Sequence, residues 1–228
     1  AGANGTVGDN VAGGAGGANT GGGGGAGSWS GGPGGAGGSG IVIMNASTTG
    51  VNLTINAGAG AITLSSTVGA TNALSSINLT SSTQIKLGGA VTTSGSQTYT
   101  GPVVLNNNIT TTTSGGGVIF SSTVNSIANA AKTLTMTLGA GNATFGGAVG
   151  GATDGVLGSL TVTTTGTTAI NGGAVTTTGA QTYSSNVTLG ADASLSVTTA
   201  TFTGTVSGAY GLAITGNAVF GDAAADTV

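Results

Sequence analysis

From Ile41 onward, the chain consists of short runs in which apolar and hydroxyl-bearing residues alternate, separated by Gly or Asn. In "LTVTT", which begins at Leu160, Leu and Val alternate with Thr, and such runs recur roughly every eight to ten residues. A period of two places successive side chains on opposite sides of a strand. The pattern therefore predicts many short strands with regular turns, with Val, Leu, Ile and Phe inside and Thr and Ser outside.

Helical periodicity is missing, and Thr, Val and Gly are poor helix formers. The segment "NSIANAAKT" (125–133) is the least strand-like part of this region and could form one helical turn. We expect an all-β protein with almost no helix.

The same text occurs twice in the chain. "GGAVTTSGSQTY" (88–99) and "GGAVTTTGAQTY" (172–183) agree at ten of twelve positions and contain no charged residue, His or Cys. Longer matches surround both copies, and "LAITGNAVFGDAA" begins a third. The repeats predict four parts: a Gly-rich segment at 1–40, a first module at 41–133, a second module at 134–211 and the start of a truncated third module at 212–228.

Repeats that cannot bury their own apolar face must stack on their neighbours, which gives an elongated body. For short strands the natural stack is a β-solenoid, in which each coil pairs with the next at about 4.8 Å. Tandem β-sandwich repeats are the alternative. They usually need longer strands and a large core aromatic, and the aromatic content of 4% argues against them.

Aromatic residues recur at matching module positions, so we expect them to form the structural core, with the phenylalanines stacked in the interior. The tyrosine hydroxyls in this set need a partner or a water molecule when buried. The predicted core residues are Phe120, Phe145, Phe202, Phe220, Tyr99 and Tyr183.

Half of residues 1–40 are glycine, and this segment has no periodic apolar pattern. It fits either a flexible Gly/Ser linker or ordered Gly-rich coils packed against the first strands.

Charge is almost absent from the chain: 3% of residues are charged and the formal net charge is -3. With Lys86 and Lys132 as the only cations, the chain cannot neutralise several phosphates, which argues against binding to nucleic acid or to an anionic membrane surface. No apolar run reaches about 18 residues, so no membrane span is expected.

Carboxylates are the only candidates for acid–base or metal chemistry. Asp154 and Asp192 lie in turn-like text, whereas Asp222 and Asp226 are four residues apart and are weak candidates for a calcium site. Without His, Glu or Cys, no Ser or Thr has a plausible base partner. The sequence predicts a protein that is not an enzyme and has no cofactor.

Threonine runs such as "ITTTT" (109–113) and "TVTTTGTT" (161–168) would place rows of hydroxyls on the surface. Such rows could order water, as in ice-binding solenoids, or bind glycans or a neighbouring filament. Thr is also an ordinary strand former. Ice binding would need Thr-x-Thr on every coil, and the drifting repeat offsets argue against that regularity.

The phrases "TTAINGGAVTTTGAQTY", "NVTLGADASL" and "TFTGTVSGAYGLAITG" resemble the repeats of filamentous-haemagglutinin-like adhesins and related β-strand-repeat proteins of bacterial surfaces. The resemblance covers about residues 41–228. It implies a right-handed β-helix at the cell surface or in an extracellular fibre, with a role in adhesion.

The final "DAAADTV" looks like the beginning of a coil, so we expect either a longer chain or ends that meet partner copies. The sequence thus predicts a structural segment of a secreted bacterial surface or filament protein, which acts by rigid extension and self-association. The alternative is an adhesive module that binds glycans or ice through Thr/Asn-rich faces.

Overall fold

The structure, a computed structural model, describes residues 50–221. Over this range the chain is a right-handed β-solenoid of about eight turns and contains no helix, as the alternating pattern predicts. In chain order its strands are β1 (Asn52–Asn56), β2 (Ile62–Leu64), β3 (Ser76–Thr80), β4 (Ile85–Leu87), β5 (Val91–Thr93), β6 (Gln97–Thr100), β7 (Val103–Leu105), β8 (Ile109–Thr113), β9 (Val118–Phe120), β10 (Val124–Ser126), β11 (Leu134–Thr137), β12 (Ala143–Phe145), β13 (Leu160–Thr163), β14 (Thr167–Ile170), β15 (Ala174–Thr176), β16 (Gln181–Tyr183), β17 (Asn186–Leu189), β18 (Ala193–Phe202), β19 (Val206–Ser207) and β20 (Leu212–Phe220).

Three columns of parallel strands form the walls, which we name the first, second and third faces. The first face contains β1, β3, β6, β9, β12, β14, β17 and β19. The second face contains β2, β4, β7 and β10, and continues through bridges of Val149 to β15 and the first halves of β18 and β20. The third face contains β5, β8, β11, β13, β16 and the second halves of β18 and β20.

The coils differ in length, yet the columns stay aligned. Asn142 and Thr167, which meet at one corner, are 25 residues apart, whereas the equivalent Asn186 and Thr205 are 19 apart. Within the paired strands, one register irregularity occurs, between Ser196 and Thr199. The extra residues of the longer coil lie in the outward loop between Val149 and Leu157, so they leave the ladder without shifting its register.

One continuous apolar core runs through the described coils, from Leu53 to Phe202. In β11 the side chains of Leu134 and Met136 are fully buried, whereas the intervening Thr135 points outward, as alternation predicts. Leu134 pairs with Ile109, so the ladder crosses the proposed module boundary at 133/134. Every pairing between described strands is parallel and the core is shared. The alternative of tandem β-sandwich repeats is therefore wrong for this range.

The expected helical turn at 125–133 is also wrong. Its first residues complete β10, and a turn follows in which Asn129 and Ala131 have φ values of 56° and 44°. Such left-handed conformations are incompatible with a right-handed helical turn.

Two loops leave the ladder in the same manner. Val68 and Leu74 both bridge to β5, so the chain between them bulges outward and returns. Val149 and Leu157 repeat this arrangement beside β15. The two loops differ in length and are equivalent in their hydrogen bonds to the neighbouring coil.

Each of these loops begins with a glycine at positive φ, Gly69 (77°) and Gly150 (66°). A Cβ atom at Gly69 would overlap the carbonyl oxygen of Thr92, and one at Gly150 would overlap that of Thr176. Both glycines therefore satisfy a conformational requirement and a space requirement.

We expect Gly150→Ala to lower the free energy of unfolding by about 3 kcal/mol, since it adds an overlap to the cost of a left-handed backbone, which is about 1–2 kcal/mol. Gly58→Ala is the matched control. Gly58 has φ 54° with no atom within 4 Å of the added Cβ, so only the conformational cost applies. Urea unfolding of both variants measures the difference, and equal losses would contradict this interpretation.

Candidate functional site

The repeated text forms a buried polar corner. In the first copy the Gln97 side-chain amide nitrogen donates to the Val91 carbonyl oxygen (3.1 Å), the Thr112 carbonyl oxygen (3.0 Å) and Thr93 Oγ1 (3.3 Å). The Tyr99 hydroxyl donates to Gln97 Oε1 at 2.9 Å. Gln97 and Tyr99 have no exposed surface.

The second copy has the same hydrogen bonds. The Gln181 amide nitrogen donates to the Val175 carbonyl (3.0 Å), the Ser196 carbonyl (3.3 Å) and Thr177 Oγ1 (3.3 Å). The Tyr183 hydroxyl donates to Gln181 Oε1 at 3.0 Å. Buried polar groups are tolerated when they are hydrogen-bonded. The duplicated text thus encodes a satisfied structural corner.

Sequence reasoning identified the tyrosines and asked what their hydroxyls bind, but missed the glutamines. The signal was the Gln-x-Tyr spacing, because residues two apart in a strand share one side. A buried Tyr at the second position therefore implies that Gln97 and Gln181 face the interior with it.

The two copies of this hydrogen-bond network lie on different faces of the solenoid. Gln97 and Tyr99 belong to β6 on the first face, whereas Gln181 and Tyr183 belong to β16 on the third face. The column of paired residues that contains Gln97 continues on later coils through Thr168 and then Val187. Gln181 lies between Thr168 and Val187 in the sequence, so it is not a member of that column. The repeat is therefore not a whole number of coils, and the corner forms from local sequence whichever face it occupies.

The predicted core aromatics form two separate stacks. On the first face, Phe120 lies between Tyr99 and Phe145, with ring centroids 5.0 and 5.9 Å apart. On the third face, Phe202 lies between Tyr183 and Phe220, at 5.1 and 5.0 Å. All are buried apart from Phe220, which is 38% exposed because no described coil covers its outer side. Stacked pairs of this kind contribute about 0.5–1.5 kcal/mol each beyond burial.

Burial raises the pKa of Tyr99 and of Tyr183 well above its ordinary value, because the interior penalises a phenolate. Both hydroxyls consequently stay protonated and act as donors to the glutamines.

The charged side chains among the described residues do not converge. Lys86 is on the outer side of β4, and Lys132 precedes β11. Asp154 is exposed in the loop that begins at Gly150, and Asp192 Oδ1 accepts a hydrogen bond from the Gly211 N–H at 2.8 Å. Within residues 50–221, no three His, Cys, Asp or Glu side chains lie close enough to hold a metal ion.

The weak calcium candidates Asp222 and Asp226 lie outside the described residues, as does the Gly-rich segment 1–40. The structure therefore leaves these two predictions as they stand.

The last described coil presents an apolar groove of about 460 Å³. Apolar residues of β19, β20 and the preceding coil line it, among them Leu189, Val206, Leu212, Ile214 and Phe220. β20 pairs with β18 along one edge, and no described strand occupies its other edge. This surface combines an open row of backbone groups with partly exposed core side chains.

Comparison with protein-family models, with curated proteins and with solved structures finds no match to this chain. Across residues 50–221 the structure contains no helix long and apolar enough to cross a membrane.

We expect Gln181→Leu to lower the free energy of unfolding by about 3 kcal/mol, because it leaves the Tyr183 hydroxyl and the Val175 carbonyl buried without this partner. Tyr183→Phe should cost less, and the double variant should cost less than the sum of the two. Thr182→Ala, on the outer side of the same strand, is the control and should change little. Additive losses in denaturant unfolding would show that the two side chains do not form one network.

The raised pKa of Tyr99 and Tyr183 predicts alkaline instability. The folded state keeps two phenolic protons that the unfolded chain loses near pH 10. The contribution of the two protonated tyrosines to the free energy of unfolding is therefore complete below that pH and declines above it. Thermal melts across this range should show the decline, and a variant with both tyrosines changed to Phe should show less of it. Tyrosinate absorbance from these two side chains in the folded protein near pH 10 would contradict the prediction.

Proposed function

We propose that this chain is a structural, non-enzymatic segment of a secreted bacterial surface or extracellular filament protein, which acts by rigid extension and end-to-end self-association. The observation that carries the proposal is the parallel ladder that runs through the described coils. It ends, among the described strands, in an open edge at β20 beside an apolar groove.

The ladder supports a role in extension. Eight turns at about 4.8 Å each give a rod of roughly 38 Å from the described residues alone. Each coil contacts mainly its neighbours, so length can increase by adding coils without changing the cross-section.

The chemistry of the open edge supports self-association. Natural edge strands are commonly blunted by charged residues, Pro or bulges that discourage pairing. β20 reads "LAITGNAVF", with no charge and no Pro. At the opposite end, β1 pairs with β3 and with no other described strand. A second copy in the same orientation would offer its β1 coil to the β20 coil, a head-to-tail contact that repeats into a filament.

The extracellular location rests on the sequence resemblance to filamentous-haemagglutinin-like repeats, carried by phrases such as "NVTLGADASL". Labelling of intact and lysed cells of the producing bacterium with an antibody against the solenoid tests this part. Signal that appears only after lysis would refute it.

Electron microscopy of the purified 228-residue chain tests self-association, and we expect unbranched fibres that lengthen with protein concentration. Ile214 lines the groove and is half-buried, so Ile214→Lys would bury a charge at each junction and should leave short, isolated rods. Ala169→Lys is the matched control, since Ala169 is a half-buried outward residue of β14, a strand paired on both sides and away from the open edge. Isolated rods from the unaltered chain at every concentration would overturn the proposal.

A further inference from the structure

The third face carries threonine in register on successive coils. Pairings of β8, β11, β13, β16 and β18 align one outward row: Thr110, Thr135, Thr161, Thr182 and Thr201. A second outward row, two residues along the strands, contains Thr92, Thr112, Thr137 and Thr163. We name these two rows the threonine array. In β8, β11 and β13 both rows are filled, so each strand presents Thr-x-Thr.

Thr-x-Thr occurs on three consecutive coils and not on every described coil of this face, so the array is more regular than the drifting repeat offsets predict but is not complete. Residues are inserted in loops between the paired strands, whereas the paired strands of the third face stay in register. The face that the insertions were expected to disrupt is therefore continuous.

Strand propensity does not explain the array, because it acts equally on all three faces. The outward column of the first face is mixed and contains Thr54, Asn78, Thr98, Ile119, Thr144, Ala169, Thr188 and Ser207. That of the second face contains Thr63, Lys86, Val104 and Asn125. Only the third face keeps one residue type over five consecutive coils within residues 50–221.

The array is a two-dimensional lattice of identical groups. Neighbouring threonines are about 6.6 Å apart along a strand and about 4.8 Å apart between coils. The spacing between coils is close to the repeat distance of oxygen atoms within the basal plane of ice. Each position supplies a hydroxyl that can donate to and accept hydrogen bonds from water, with a methyl group beside it, and no position is charged.

We propose that the threonine array binds ice, by holding a layer of water in positions that the crystal lattice can continue. The register of the rows fits this occupant, because a crystal of water meets the same group at each repeat of the surface. A neutral polysaccharide fits less well, because flat sugar rings are commonly held on aromatic side chains and neither row contains one. The inference is independent of filament formation.

The test is the thermal hysteresis of the full 228-residue chain, together with the shape of ice crystals grown in its presence. We expect a gap between melting and freezing and faceted crystals. Thr135→Tyr and Thr161→Tyr place a bulky ring in the array and should abolish most of the gap. Thr144→Tyr is the matched control, since Thr144 is equally half-buried and outward on the first face, and it should keep the full gap.

Circular dichroism and melting temperatures establish that each variant folds. If a Tyr variant does not fold, Thr135→Ser replaces it, which removes the methyl group alone and should reduce the gap. No hysteresis from the folded, unaltered chain would overturn the proposal, as would equal losses in Thr135→Tyr and Thr144→Tyr. Retention on cellulose powder without hysteresis would identify the array as a glycan surface. If the unaltered chain forms dimers without hysteresis, and Thr135→Tyr dissociates them, the array is a contact surface between copies of the chain. Either result refutes ice binding.

The Ile214→Lys variant separates this proposal from filament formation. It blocks the end of the solenoid and leaves the array intact, so short rods with normal hysteresis are expected. Hysteresis that disappears together with the fibres would show that assembly, and not the array of one chain, is responsible.

Discussion

Hydrogen bonds between successive coils are the constraint on which the rest of the structure depends. Strands within a column exchange backbone hydrogen bonds with the coil before and the coil after, as in the 2.8 Å bonds from Ile85 N–H to the Pro102 carbonyl and from Val103 N–H to the Thr123 carbonyl. A buried backbone group without a partner is costly, so a coil cannot lose register with its neighbours. Any difference in coil length must therefore be accommodated outside the paired residues, as in the loops that begin at Gly69 and Gly150 and bulge out of a face.

Once the ladder is fixed, side chains interact along columns, and sequence neighbours matter less. The stack of Tyr99, Phe120 and Phe145 forms because these residues occupy one column of successive coils. The stack that begins at Tyr183 forms on another face, since the sequence repeat and the coil have different lengths. The modules visible in the sequence are thus units of duplication, and the coil is the unit of structure.

Local patterns were sufficient to predict the class of fold and the inner and outer positions of strands such as β11, because alternation acts within a few residues. The phase of each repeat around the solenoid could not be predicted. It depends on how many residues each loop between paired strands contains, and a loop's position is decided by contacts with the next coil. Gln97 and Gln181 were missed for a related reason: polar side chains are expected outside, and their burial depends on carbonyls that only the folded corner brings near.

The ladder also accounts for the scarcity of charge. A residue repeated on successive coils lies about 4.8 Å from its copies, and two like charges at about 4 Å repel by roughly 1 kcal/mol even in water. Lys86, the one charged side chain in its column of described residues, has the neutral Thr63 and Val104 as neighbours. The scarcity of charge on all three faces is therefore a consequence of the architecture and does not by itself indicate a ligand. What the architecture leaves unexplained is the difference between the faces: the same constraint permits Asn, Ile, Ala and Ser on the first face, yet the third keeps threonine. A function for the third face has to explain why threonine is kept there. Ice does so, because a crystal surface repeats at regular intervals and would select the same residue on successive coils.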